Sequence, residues 1–229
     1  MKANRRIGII IGILYILGTA SGITSFFFIG EMANSHEYLV QISSCDTKFI
    51  SGTLFVLLMG FMVAFVPIIL YPTLKKYNKT LAIGYVVFRG AIETITYISI
   101  WVSMLLLIFV SKNFVVSNNT DTQQLKNIVA LILRTRELGS LLSILVFSIG
   151  ALLLYSVFYQ SKLVPRWLSV WGFIAAILYL VSAFLNLFGL QTESSSLNSF
   201  LSLPIFLQEM VMAGWLIVKG FNAESFDKK

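Results

Sequence analysis

The chain has 229 residues, of which 57% are hydrophobic and 12% charged, and its mean hydropathy is +0.85. A soluble domain of this size has too little interior to hide that much apolar surface, so soluble folds are excluded and a polytopic membrane protein is implied. A single cysteine, Cys45, and a single histidine, His36, exclude a disulfide framework, a zinc site and a Cys/His nucleophile pair. The net charge of +7 is left to be explained by where the charges fall.

Six apolar runs are predicted to cross the bilayer as helices, at residues 7–29, 49–71, 81–110, 131–159, 167–188 and 200–218. They are continuously apolar over about 20 residues, unlike the alternating strands of an outer-membrane barrel, and helices satisfy their own backbone groups in lipid. The expectation is an all-α, six-helix transmembrane bundle forming one domain over 1–229, with lipid as its principal partner.

The first run follows Lys2, Arg5 and Arg6 and contains the small residues Gly18 to Gly22, as a secretory signal would. It continues through Phe26, Phe27, Phe28 and Ile29 to span length and is read as a retained helix. Gly8 with Gly12 and Gly18 with Gly22 form two small-xxx-small pairs. Such pairs suit close helix contact, either inside one chain or in a homo-oligomer.

The second run carries Pro67. The third carries Arg89 and, one turn later on the same face, Glu93, with Thr96 and Ser103 continuing the polar stripe. The fourth holds Arg134, Arg136 and Glu137 near its start, where long side chains snorkel toward headgroups. The fifth opens with Pro165, Arg166 and Trp167, a helix-starting proline beside an interfacial aromatic. Tyr71, Tyr77, Tyr155 and Tyr159 fall where an aromatic belt is expected on the cytoplasmic side. The sixth contains Gln208 and Glu209. Pro204 in that run belongs either to the first helical turn or to a break beside Glu209, as in transporter sites.

Basic residues set the orientation. The N-terminus, second and fourth loops and C-terminal end hold eleven: Lys2, Arg5, Arg6, Lys75, Lys76, Lys79, Lys162, Arg166, Lys219, Lys228 and Lys229. The alternate loops hold three, Lys48, Lys112 and Lys126. The positive-inside rule therefore places both termini in the cytoplasm. Glu224 and Asp227 leave that side strongly basic, so the overall charge needs no nucleic-acid partner. Asn118, Asn119 and Thr120 match a glycosylation acceptor in an outer loop, a pattern without meaning in a bacterium.

Charges within the spans are the candidate site. Each costs roughly 2.5–3.5 kcal/mol near the centre of a helix, which favours partnered groups. Arg89 lies about 15 Å along its helix from Lys79, and Glu209 about 15 Å from Lys219, so the two share a depth near the midplane. Arg89, Glu93, Arg136, Glu137, Gln208 and Glu209 are the candidate ligand-binding residues, at a polar centre where the third, fourth and sixth helices meet. There is no phosphate loop, Ser/His/Asp set, paired aspartate or metal spacing, and no cofactor is expected.

Three stretches carry a resemblance: Leu70-Tyr71-Pro72-Thr73-Leu74-Lys75-Lys76-Tyr77-Asn78 with Gly84-Tyr85, Phe88-Arg89 and Glu93; Phe158-Tyr159-Gln160-Ser161-Lys162-Leu163-Val164-Pro165-Arg166-Trp167-Leu168-Ser169 with Trp171-Gly172; and Leu203-Pro204-Ile205-Phe206-Leu207-Gln208-Glu209-Met210. Together they resemble the bacterial membrane family known as domain of unknown function 4386. The resemblance covers nearly the whole chain, and Arg136-Glu137 stands where the family often has Arg-Asp. It implies a six-helix protein of the bacterial plasma membrane and assigns no catalytic or ligand role.

Two functional expectations follow. In the first, a non-enzymatic carrier or receptor takes a small polar or anionic molecule, or a lipid headgroup: Arg89 attracts it, Glu93 and Glu209 set its charge state, and Gln208 adds hydrogen bonds. In the second, a structural or regulatory membrane partner uses the same ion pairs only to fix helix packing.

Overall fold

The computed structural model describes residues 2–33, 42–116, 122–192 and 194–222. His36, the Asn118–Asn119–Thr120 triplet, Glu224, Asp227, Lys228 and Lys229 lie outside them. Among the described residues the regular structure is helical, without a strand: α1 (Lys2–Ala33), α2 (Asp46–Leu74), α3 (Lys79–Tyr85), a π-helical segment (Val86–Ile92), α4 (Glu93–Val116), α5 (Thr122–Ser161), α6 (Arg166–Leu187) and α7 (Ser196–Val218). Six stretches are long and apolar enough to cross a membrane: Arg5–Gly30, Asp46–Leu74, Lys79–Asn113, Gln123–Ser161, Arg166–Leu187 and Ser196–Val218. The protein is an all-α, multi-pass membrane protein.

Polar caps set the helix starts. The Asn78 side chain accepts the Leu81 N–H at 3.0 Å to open α3, and the Ser195 hydroxyl accepts the Asn198 N–H at 3.0 Å to open α7. α5 stops where Lys162 turns left-handed at φ 56°, and α6 begins after Pro165, whose carbonyl accepts the Leu168 N–H at 3.0 Å.

Each spanning helix begins before its apolar run, and polar residues account for the early starts of α5 and α7. α5 starts at Thr122, where Gln123 donates to Asn127 one turn on, at 3.3 Å, so polar residues extend the helix before the hydrocarbon is reached. The Ser195 cap likewise starts α7 ahead of residue 200. Pro204 is therefore more than two turns inside a continuous helix, neither in the first turn nor at a break. Lacking an N–H, it leaves the Phe200 carbonyl without its helical donor.

The chain packs as two compact units. One comprises Met1–Leu17, Met62–Thr94 and Leu141–Lys229, with Ile11, Leu70, Tyr85, Leu154, Leu168 and Met212 in its core. Here α1 meets α7 at glycine: a Cβ on Gly8 would stand 3.1 Å from the Leu216 carbonyl oxygen, and one on Gly12 2.7 Å from that of Ala213. The Gly8–Gly12 pair is thus used inside the chain.

The other unit comprises Gly18–Phe61 and Ile95–Ser140, with Ile29, Phe49, Ile100, Met104, Leu107 and Val129 in its core. A Cβ on Gly22 would meet the Met59 sulfur at 2.7 Å, which again turns a glycine to packing. Asp46 and Lys112 pair at 2.7 Å. Outward faces in both units are apolar, as Phe109 and Phe200, 66% and 71% exposed, illustrate.

Candidate functional site

The site lies wholly within the first unit and begins with a backbone irregularity. At the end of the π-helical segment the Glu93 N–H reaches back to the Phe88 carbonyl, five residues away, so the helix carries a widened turn around Arg89. Such turns are frequent at functional positions. Small residues of two neighbouring helices pack on it. A Cβ on Gly90 would stand 3.2 Å from Pro67 Cγ of α2. A Cβ on Gly150 of α5 would stand 3.2 Å from Arg89 Cβ and 3.4 Å from the Arg89 nitrogen.

Arg89 is 3% exposed, and its fork is divided between two carboxylates. Nη1 donates to Glu93 Oε1 at 2.5 Å, one turn along its own helix. Nη2 donates to Glu209 Oε1 of α7 at 2.9 Å. The guanidinium carbon sits 4.0 Å from the centre of the Phe147 ring of α5. Ion pair, hydrogen bonds and cation–π contact together offset the cost of taking the cation out of water. The side chains of Arg89 and Glu93 are 4% and 1% exposed, that of Glu209 17%. Glu209 is the most exposed member of the triad.

Tyrosines surround the triad. Tyr85, one turn before Arg89, brings its hydroxyl to 3.3 Å from that of Tyr15 of α1. Tyr155 of α5 donates to Gln208 Oε1 at 2.5 Å. Gln208 Nε2 donates to the Leu168 carbonyl of α6 at 3.1 Å. A buried amide with both ends bonded locks α5, α6 and α7 to one another next to Glu209.

Arg89, Glu93 and Glu209 thus meet, with Gln208 adjoining them through its own partners. α5 supplies an aromatic face and a glycine rather than charge. Arg136 and Glu137 lie in the other unit: Glu137 accepts from Arg134 at 2.9 Å, with both side chains more than half exposed, and Arg136 is half-buried.

Tyr155 is not in an aromatic belt. It is 1% exposed, because its hydroxyl finds an internal partner in Gln208, whereas Tyr159 one turn on is 46% exposed and lies under the Arg166 guanidinium. Sequence reasoning also missed Tyr15, Phe147, Gly150 and the widened turn. Tyr85 alone carried a signal, standing four residues before Arg89 on the same face.

No curated protein and no solved structure matches the chain. A family model described as a domain of unknown function, DUF4386, matches residues 10–220, a stretch that includes every member of the triad and Gln208. The chain belongs to that family.

Proposed function

We propose that this is a plasma-membrane protein of bacteria, with both termini in the cytoplasm, that binds or carries a small polar or anionic molecule, or the headgroup of a lipid, at Arg89, Glu93 and Glu209. The observation that supports this reading most is the asymmetry of the triad: one enclosed cation shared by a sealed carboxylate and a partly open one. An incoming anion has one partner to displace, Glu209. Fully ionised, the triad sums to one negative charge, so an anion entering beside Arg89 is balanced if Glu209 takes a proton as it leaves. Binding of anion and proton would then be linked.

The second reading, in which the ion pairs only fix helix packing, is favoured by one observation: Arg89 is closed in by Phe147, Glu93 and Glu209 with almost no exposure. Purified protein in proteoliposomes separates the two. Under the binding reading, pulses of sulfate, whose two charges exceed the one proton taken up with it, give transient currents on a solid-supported membrane that depend on pH. Glu209→Gln, the neutral isostere of the protonated acid, keeps the currents, removes their pH dependence and leaves the yield of folded protein unchanged. No currents from the parent protein, or a change that only lowers folded yield, favours packing.

A further inference from the structure

We infer that a second site, independent of the triad, binds the phosphate of an anionic phospholipid where the α5–α6 turn meets the end of α7. A cavity of about 450 Å³ opens there, and three cationic side chains border it: Lys162 of the turn, Arg166 of the first turn of α6 and Lys219 at the end of α7. Among the described residues no carboxylate lines it. Lys162 also has a contact within the chain; Arg166 and Lys219 alone place two basic groups at one concavity, a field that selects an anion, and basic pockets between membrane helices are suited to acidic headgroups.

The walls are built rather than incidental. The Asn222 N–H donates to the Leu163 carbonyl at 2.9 Å, tying the segment after α7 to the α5–α6 turn. Phe221 is buried, its ring 6.1 Å from that of Phe158. Both chain reversals use left-handed backbone, at Lys162 with φ 56° and Gly220 with φ 71°. Arg166 is stacked 5.2 Å from the centre of the Tyr159 ring, which orients the plane of its guanidinium while its edge keeps donors for an oxyanion. The first N–H groups of α6, a helix of 22 residues, add partial positive charge at the same end.

The choice of a lipid over a free anion rests on what borders the cavity. Trp215 lines it, and Trp167 stands against Trp215 at 6.4 Å and Trp171 at 6.3 Å between ring centres. Tryptophan clusters of this kind sit at the level of headgroups. Beyond them α6 presents Val170 and Ile174, 43% and 54% exposed, an apolar path for an acyl chain below the phosphate.

The test uses the full chain with Trp101→Phe, which leaves Trp167, Trp171 and Trp215 as the only fluorophores of their type. It is reconstituted in phosphatidylcholine vesicles containing increasing brominated phosphatidylglycerol or, separately, brominated phosphatidylcholine. Brominated phosphatidylglycerol should quench at a lower mole fraction. Each of Lys162→Gln, Arg166→Gln and Lys219→Gln should weaken that preference by up to about fivefold, the effect expected of one basic residue at an anionic surface. All three positions are exposed, and unchanged thermal unfolding confirms the fold of each single variant. Equal quenching by the two lipids in the parent, or an undiminished preference in folded variants, overturns the proposal. So does inorganic phosphate displacing the brominated lipid, because the ligand is then the free anion.

Discussion

Arg89 and Glu209 are 120 residues apart in the chain and 2.9 Å apart in the structure. Each stands ten residues from a lysine at the end of its helix, Lys79 and Lys219, and that equality of depth lets one guanidinium reach across to α7. Glu93 occupies the other half of the fork from its own helix, so the cation is held by one local and one long-range contact. The long-range contact joins separate elements and ends on the more exposed of the two carboxylates.

Removing the cation should be far worse than removing the whole cluster. Arg89→Met leaves two carboxylates in a core that has lost the cation they share, a loss of about 3–5 kcal/mol for a broken buried pair. Combining Arg89→Met with Glu93→Gln and Glu209→Gln removes the stranded charge and should restore most of that loss. Thermal unfolding of the three proteins in detergent checks this. Equal destabilisation by the single and the triple change would mean that the charges are not confined together.

How much of this was legible in the sequence follows from what each feature depends on. Span number depends on composition over some 20 residues and could be read directly. The Arg89–Glu209 meeting depends on helical rise, a constant, and was also legible. The widened turn at Val86–Ile92 was not, because it arises where α2 and α5 press small surfaces, Pro67 and Gly150, against its backbone. Tyr155 was misplaced for a similar reason. A tyrosine near a helix end reads as interfacial unless one knows that Gln208, 53 residues away, offers it a bond. The starts of α5 and α7 were hidden because polar residues that extend a helix leave no mark in hydropathy.

The Tyr155–Gln208 bond gives a second prediction. Tyr155→Phe keeps the ring and strands the Gln208 oxygen, at a cost of about 1–3 kcal/mol. Gln208→Leu strands the tyrosine hydroxyl and takes the second donor from the Leu168 carbonyl, which keeps its helical bond, and should cost at least as much. The double variant should be less destabilised than the sum of the two, because neither group then lacks a partner. Strict additivity in a double-mutant cycle would show that the two do not interact.

Glycines supply a third. A Cβ on Gly172 of α6 would stand 2.5 Å from the Tyr155 ring, and that ring is held by its hydroxyl, so Gly172→Ala should lose about 1–3 kcal/mol by overpacking. Gly150→Ala should lose less, since its nearest neighbour is at 3.2 Å. Gly214 of α7 has nothing within 4 Å. Gly214→Ala should gain about 0.4–1 kcal/mol by restricting the unfolded chain. The order of unfolding midpoints among the three, with Gly214→Ala highest and Gly172→Ala lowest, is the outcome to measure.

The proposed orientation can be tested with the protein's own chemistry. Cys45 is the only cysteine; it is exposed and immediately precedes α2. If both termini are cytoplasmic, the connection before α2 faces outward, and Cys45 in spheroplasts should react with a maleimide that cannot cross the membrane. Replacing it by Cys45→Ser and introducing Lys76→Cys, in the connection after α2, moves the thiol to the opposite side, where lysines collect under the positive-inside rule. That thiol should stay unlabelled until the membrane is permeabilised. The reverse pattern would invert the topology, place Lys162, Arg166 and Lys219 on the outer face, and remove the positive-inside argument for cytoplasmic termini. It would leave the triad intact, because the meeting of Arg89 with Glu209 depends on depth in the bilayer and not on which face is inside.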